Sequence, residues 1–325
     1  MTTAIRTAPA RRFDLSVFVR RYPFAFALVI SVVLLALNLI VQPNFGPVQQ
    51  LASYAPIAFA ALALMPAILS GRGGIDLTVS PVMTLSGIVF IGYLNPAGLG
   101  TFVAVPILLV IGLVIGTVNG LLIVLLRLPP VVVTLAMMFV YTGINLKLAP
   151  SPLTISGSWV RSLAESIWVI PGALVGLAVP VIAWLLLARS AWGRTLYAVG
   201  GNDATAFSAG INVAFVRISA FALGSMIAML GGLSVVALTS SAAASTSSAY
   251  VMLSIAAVSL GGISLAGGRG GVAGALFGAA AIFLVQRMLT VFNVPTIWLT
   301  LVYGLILIVA VILGAVLTTR RRERS

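Results

Sequence analysis

The sequence predicts an all-α polytopic membrane protein of about ten transmembrane helices, with both termini cytoplasmic. Three observations predict it. Apolar residues make up 61% of the 325 residues and charged residues 7%, and the mean hydropathy is +1.21. A soluble core cannot use that much hydrophobicity, whereas a bilayer core of roughly 30 Å needs about 20 apolar residues per crossing helix. Second, ten such stretches follow one another and hold almost no ionisable residue. Third, the basic residues gather on alternate connections.

The spans fall at about 24–41, 51–70, 78–94, 101–126, 131–146, 168–188, 214–239, 250–266, 272–292 and 296–317. They form one membrane domain, 24–317, between a basic tail at 1–23 and another at 318–325. The first span follows its basic segment without a small-residue cleavage site, so it reads as a retained span and not a signal peptide. With the N-terminus inside, the cytoplasmic segments hold Arg6, Arg11, Arg12, Arg20, Arg21, Arg72, Arg127, Arg189, Arg194, Arg217, Arg269, Arg320, Arg321, Arg322 and Arg324. That is 15 of the 18 Lys and Arg residues, leaving Lys147, Arg161 and Arg287 on or near the outer side. Such a bias sets orientation, and an even number of spans returns the C-terminus to the cytoplasm.

Two connections are long. The outer one, about 147–167, carries Pro150, Pro152 and Gly157, with Trp159 and Trp168 expected as interface anchors. The inner one, 189–213, carries Trp192, Arg194, a Gly200-Gly201 break and a short segment ending at Gly210. Asn202 suits an N-cap, Asp203 a helix N-terminus and Gly210 a C-terminal stop. So short a helix is unstable alone in water, so it must lean on the membrane domain or a partner. Its one large apolar side chain, Phe207, either anchors a partner or packs back on the membrane domain. Elsewhere Gly112, Gly116 and Gly120 repeat every four residues, as do Gly270, Gly274 and Gly278. Small residues at that spacing let helices approach closely in lipid. Tight packing within the subunit is expected, with a dimer contact or a moving interface as the alternatives.

Composition excludes several functions. There is no cysteine and no histidine, which removes thiolate and imidazole chemistry. The acids are Asp14, Asp76, Glu165, Asp203 and Glu323, scattered over tails, loops and one Gly-rich junction. No catalytic constellation, metal site or cofactor is expected from them. The net charge of +13 sits at termini and short loops, with no contiguous basic face for nucleic acid.

The segment from Arg72 through Gly73, Gly74, Ile75, Asp76 and Leu77 to Thr78 and Val79 sets a carboxylate beside a Gly pair. Backbone breaks at membrane depth are tolerated where they line a cavity or are buried in protein. Two roles fit Asp76: pairing with Arg72, or tethering a broken helix along the pathway. A second run, Leu260-Gly261-Gly262-Ile263-Ser264-Leu265-Ala266-Gly267-Gly268-Arg269-Gly270, echoes the first in its Gly-Gly-Ile-x-Leu. The echo suggests an internal repeat, although this topology puts both copies on one side and an inverted repeat would separate them. No G-x-x-x-x-G-K-[ST] phosphate loop occurs.

With two further stretches these runs carry a family resemblance over nearly the whole chain. The two are Gly116-Thr117-Val118-Asn119-Gly120-Leu121-Leu122, continuing through Leu128-Pro129-Pro130 to Val133-Thr134-Leu135, and Tyr197-Ala198-Val199-Gly200-Gly201-Asn202-Asp203-Ala204, continuing to Ser208-Ala209-Gly210-Ile211. The sequence resembles the membrane permease subunit of ATP-binding-cassette monosaccharide importers of the ribose/xylose/galactose type, within the branched-chain-amino-acid/ribose permease superfamily. That resemblance implies a second permease subunit (homodimer or heterodimer), cytoplasmic nucleotide-binding ATPase subunits and a periplasmic or lipid-anchored sugar-binding protein. It implies that 189–213 holds the helix coupling to the ATPase, with Gly200, Gly201, Asn202, Asp203, Phe207 and Gly210 as contact residues. Gly73, Gly74, Asp76, Asn119 and Thr134 would serve the translocation pathway or gate. Hydrolysis on another chain accounts for the missing catalytic groups.

Two departures bear on the substrate. The stretch Tyr250-Val251-Met252-Leu253-Ser254 has no acid where such permeases often carry one, and Val79 is followed by Ser80-Pro81 where a glycine is common. The competing class is an ion-coupled secondary carrier, which needs ionisable or unwound polar groups near the midplane. Only Asp76 qualifies. Asn38, Ser86, Asn119, Thr134, Tyr141 and Asn145 are polar groups within or near spans, each free to line a path or bond a neighbouring helix.

Overall fold

The computed structural model describes residues 24–42, 46–244 and 249–295, together with Trp298, Leu301, Gly304, Leu305 and Ile308. Both predicted tails, and the tenth span apart from those five positions, lie outside the described residues. Within them the chain is an up-and-down helical bundle: α1 (Ala25–Val41), α2 (Pro47–Leu69), α3 (Val79–Val89), α4 (Thr101–Leu126), α5 (Pro130–Leu148), α6 (Gly172–Arg189), α7 (Ala191–Gly201), α8 (Asp203–Ser208), α9 (Val213–Thr239), α10 (Tyr250–Leu260) and α11 (Val272–Val291). Among the described residues six helices (α2, α4, α5, α6, α9 and α11) are long and apolar enough to cross a bilayer. This is a multi-pass membrane protein.

The three shorter apolar helices correct the even spacing expected from hydropathy. The predicted span 78–94 is α3 followed by a π-helical turn, Phe90–Leu94. At 1.5 Å per residue α3 with that turn reaches about 24 Å, and α10 about 16 Å, both short of a 30 Å core. The remaining depth is made by non-helical backbone: 70–78 leads into α3, and 261–271 continues from α10. The predicted span 250–266 stops at Leu260 because Gly261 and Gly262 turn the chain, Gly262 at φ 73. Irregular backbone at membrane depth must be buried in protein to satisfy its polar groups.

Helices α2 and α9 are the buried centre, with α4 and α3 packed on α9. The first glycine stripe works inside the chain, as expected. A Cβ on Gly112 would press on Ser225 and Met226, one on Gly116 on Phe221 and Ala222, and one on Gly120 on Ile218. In the second stripe Gly274 and Gly278 press on the end of α10, at Gly261 and Ala257, while Gly270 meets Ile263. By contrast α5 and α6 leave most of their apolar surface uncovered.

The two bundle ends differ. At one end two small antiparallel pairs form: β1 (Leu153–Thr154) with β4 (Ser241–Ala242), and β2 (Ser166–Ile167) with β3 (Ile170–Pro171). Trp168, expected as an anchor, stands in the β2–β3 turn at φ 59 and is 96% exposed, so α6 begins at Gly172 and not at 168. Trp159, the other expected anchor, is half-buried, with its ring T-shaped against Phe90 at 5.2 Å. At the opposite end the connections 70–78, 189–213 and 261–271 converge.

Candidate functional site

Helix α2 ends at Leu69, and Gly71, Arg72 and Gly73 follow at φ 83, 53 and 64. Three successive left-handed residues reverse the chain sharply, and glycine suits two of them. From there the chain runs beside α5, irregular through Thr78 and then as α3. The Thr134 hydroxyl donates to the Ile75 carbonyl at 3.1 Å, and Asn145 Nδ2 donates to the Pro81 carbonyl at 2.9 Å. Those two anchors are eleven residues apart on α5, about 16 Å along its axis.

Asp76 organises this ascent. Its Oδ1 accepts from the Thr78 backbone N at 2.9 Å and from the Thr78 hydroxyl at 2.6 Å. The Thr78 hydroxyl in turn accepts from Asn119 Nδ2 at 2.9 Å, and Asn119 Oδ1 accepts from the Tyr141 hydroxyl at 3.1 Å. Asp76 is 2% exposed, and Asn119 and Thr134 are fully buried. Of the two roles open to Asp76, pairing with Arg72 is not what forms. The carboxylate ties a broken helix to α4 and, through Asn119, to α5.

Arg72 points the other way. Its Nε pairs with Asp203 Oδ2 at 2.5 Å, and Arg217 on α9 approaches the same oxygen at 3.6 Å. Asp203 opens α8, whose ends match the expected caps. Asn202 Oδ1 accepts from Thr205 N at 3.0 Å. Past the other end, Gly210 at φ 80 lets Ile211 N donate to Ala206 O and Gly210 N to Phe207 O, the paired bonds of a Schellman stop. Phe207 is 73% exposed. It does not pack back on the membrane domain.

The Gly200-Gly201 pair is not the expected break. Both residues end α7, and the chain leaves helical geometry at Asn202. Gly200 is there for closeness, since a Cβ on it would strike Leu69 O and Gly268 N. Helix α7 itself was not foreseen. It buries Leu196 and Val199, Trp192 Nε1 donates to Ser219 Oγ at 2.8 Å, and the Tyr197 hydroxyl donates to Gly270 O at 2.9 Å. Burial pushes the Tyr197 phenol above its ordinary pKa, so it stays a donor.

Thus Asp76, Asn119 and Thr134 are buried around the ascent, with Gly74 buried and Gly73 half-buried in the turn that starts it, and Gly200, Gly201, Asn202, Asp203, Phe207 and Gly210 lie beyond, joined through Arg72. Thr78 and Gly71 belong to the same site, and neither stood out before the three-dimensional arrangement. Asn38 and Ser86 only tie helices together, through Leu284 O and Met229 O. A separate cleft of about 650 Å³ opens near the β1–β4 end, with Ser80, Thr84, Thr142 and Ser151 among its walls. Asp76, Asn119 and Thr134 do not line it.

Residues 46–311 match the family described as branched-chain amino acid transport system / permease component. The chain belongs to this permease family. It is 32% identical to the inner membrane ABC transporter permease protein YjfF of Escherichia coli, over 78% of this chain and 79% of that one. It is 29% identical to the ribose import permease protein RbsC of Haemophilus influenzae, over 76% and 79%. To the fructose import permease protein FrcC of Rhizobium meliloti it is 30% identical, over 73% and 69%. No solved structure matches this permease.

Proposed function

We propose that this chain is the permease subunit of an ATP-binding-cassette importer that passes a monosaccharide, or a similarly hydroxylated small solute, across a bacterial inner membrane. The match over residues 46–311 carries the reading, and the relatives named for ribose and fructose import supply the solute class. Both termini are cytoplasmic in this reading, because the end that gathers Arg72, Arg217 and α8 is the basic end of the topology. ATP hydrolysis belongs to a cytoplasmic partner, delivery to a periplasmic or lipid-anchored binding protein, and a second permease subunit completes the pathway. The exposed Phe207 and its capped helix are the ATPase contact. The Asp76–Thr78–Asn119 cluster holds the broken helix that gates the pathway.

The test is uptake by proteoliposomes holding the assembled transporter, with a panel of labelled pentoses and hexoses and ATP supplied on the ATPase side. Uptake should require ATP and the binding protein and should favour one sugar. Uptake that follows a pH gradient without ATP would overturn the proposal in favour of a secondary carrier.

A further inference from the structure

One carboxylate at the converging end, that of Asp203, joins three elements. Asp203 on α8 receives Arg72 from the turn that starts the broken helix and Arg217 from the second turn of α9. Arg217 is buried, so it relies on that carboxylate for charge balance. Arg72 holds a left-handed backbone conformation between two glycines, an unfavourable place for a side chain unless the side chain is needed.

Beneath this ion cluster, backbone lies against backbone. A Cβ on Gly71 would press on Gly200, and one on Gly267 would strike both Gly71 and Gly200. The Gly268 N–H donates to Leu69 O at 3.2 Å. Close-packed backbones have no side-chain rotamers with which to absorb a displacement. A shift of the α7 end at Gly200 therefore carries the turn at 70–74 with it, the Arg72–Asp203 pair extends the connection to α8, and Asp76 follows two residues beyond the turn.

We propose that Asp203 and Arg72 are positioning residues that fasten α8 to the broken helix, so that movement of α8 is delivered to the Asp76 cluster. This rests on the permease reading for what the movement accomplishes. The link itself is a property of the chain alone.

Two measurements test it. The first is hydrogen exchange on the purified permease, comparing the parent with Asp203→Asn, Asp203→Glu and Arg72→Gly. Arg72→Gly removes the charge and also relieves the left-handed strain, so a purely structural loop should tolerate or welcome it. With the link in place, Asp203→Asn and Arg72→Gly each speed exchange at 70–76 and at 203–208 together, by about fivefold given that the Arg72 side chain is 67% exposed, while Asp203→Glu stays within about twofold of the parent. Faster exchange confined to the mutated segment would overturn the proposal.

The second measurement is sugar taken up per ATP hydrolysed by the assembled transporter. Arg72→Gly should lower that ratio at least tenfold with basal hydrolysis within twofold of the parent, Asp203→Asn should lower the ratio at least as far, and the double variant should be no worse than either alone. An unchanged ratio in Arg72→Gly, or effects of the two that multiply, would overturn it. A parent that shows the exchange pattern yet no ATP-driven uptake would instead sink the permease reading and leave the link standing.

Discussion

Thr78 is bonded twice to Asp76, through its backbone N at 2.9 Å and its hydroxyl at 2.6 Å, and that hydroxyl also accepts from Asn119 at 2.9 Å. One threonine thus converts a local turn into a contact between helices. The other Asp76 oxygen, Oδ2, is buried with no partner among the described residues.

Asp76→Asn keeps the accepting Oδ1, removes the charge and sets an NH2 in place of the partnerless Oδ2, a change of similar size and shape with which the chain should still insert and assemble. Hydrogen bonds to charged groups contribute about 1.5–3 kcal/mol against about 1 for neutral ones. A loss near the lower difference lowers transport severalfold, through a looser break. The cluster holds no second acid to pass a proton on, so proton dependence should be neither created nor abolished. Thr78→Val should be more harmful, because it leaves the buried Asn119 Nδ2 without its acceptor, at about 1–3 kcal/mol, and leaves Asp76 Oδ1 only the backbone N–H of residue 78. Thermal unfolding in detergent checks the order: Asp76→Asn above Thr78→Val. The reverse order would show that the charge, and not the hydroxyl, holds the break.

The orientation is open to direct measurement. Reporter fusions at Gly98 and Ser156 should read external, and those at Ala204 and Arg322 internal. Arg322 lies outside the described residues, so its fusion also tests whether the chain crosses an even number of times. An external signal at Ala204 would overturn the orientation and the coupling contact together.

Gly116 and Gly143 are both helical glycines, and they should respond oppositely to alanine. A Cβ at Gly116 meets the α9 backbone at Phe221 and Ala222, whereas at Gly143 nothing lies within 4 Å. Gly116→Ala forces α4 and α9 apart and should cost about 1–3 kcal/mol. Gly143→Ala should gain about 0.5–1 kcal/mol from reduced chain entropy. Unfolding midpoints of the two variants decide the matter, and equal shifts would mean that the α4–α9 contact is not what Gly116 serves.

The order of the apolar helices up to residue 291 was legible because a bilayer demands long apolar runs, and the helices from α1 to α6, with α9, α10 and α11, fall on nine of the ten predicted spans, whereas α7 was not legible. Their ends were less legible. Hydropathy cannot distinguish a helical residue from one buried in irregular backbone, so Ile263, Leu265 and Ala266 counted as span although the helix had stopped at Leu260. The caps at Asn202 and Gly210 were readable because they depend on neighbours within a few residues. Gly200 was misread as a break because its reason lies far away in sequence, in Leu69 and Gly268. Arg72 was offered a nearby partner in Asp76, and only the fold reveals that the chain turns Asp76 inward and brings Asp203 to the arginine.

Phe207 gives the sharpest test of the proposed ATPase contact. It stands on α8, six residues long and capped at both ends, and is 73% exposed while Ala206 beside it is buried. A large apolar side chain held out on a rigid, short helix contributes nothing to the fold it leaves. It can contribute much to an interface, where aromatic anchors typically account for 2 kcal/mol or more. Phe207→Ala should therefore weaken capture of the ATPase subunits by about 30-fold or more, at 1.4 kcal/mol per tenfold. Phe207→Asp should release them or uncouple hydrolysis from uptake. Neither change should alter thermal unfolding of the permease alone, since no buried contact is lost. Co-purification and uptake measured side by side give the answer. Normal assembly and parental transport in Phe207→Asp would move the contact elsewhere in 189–213, with the exposed face of α7 next in line.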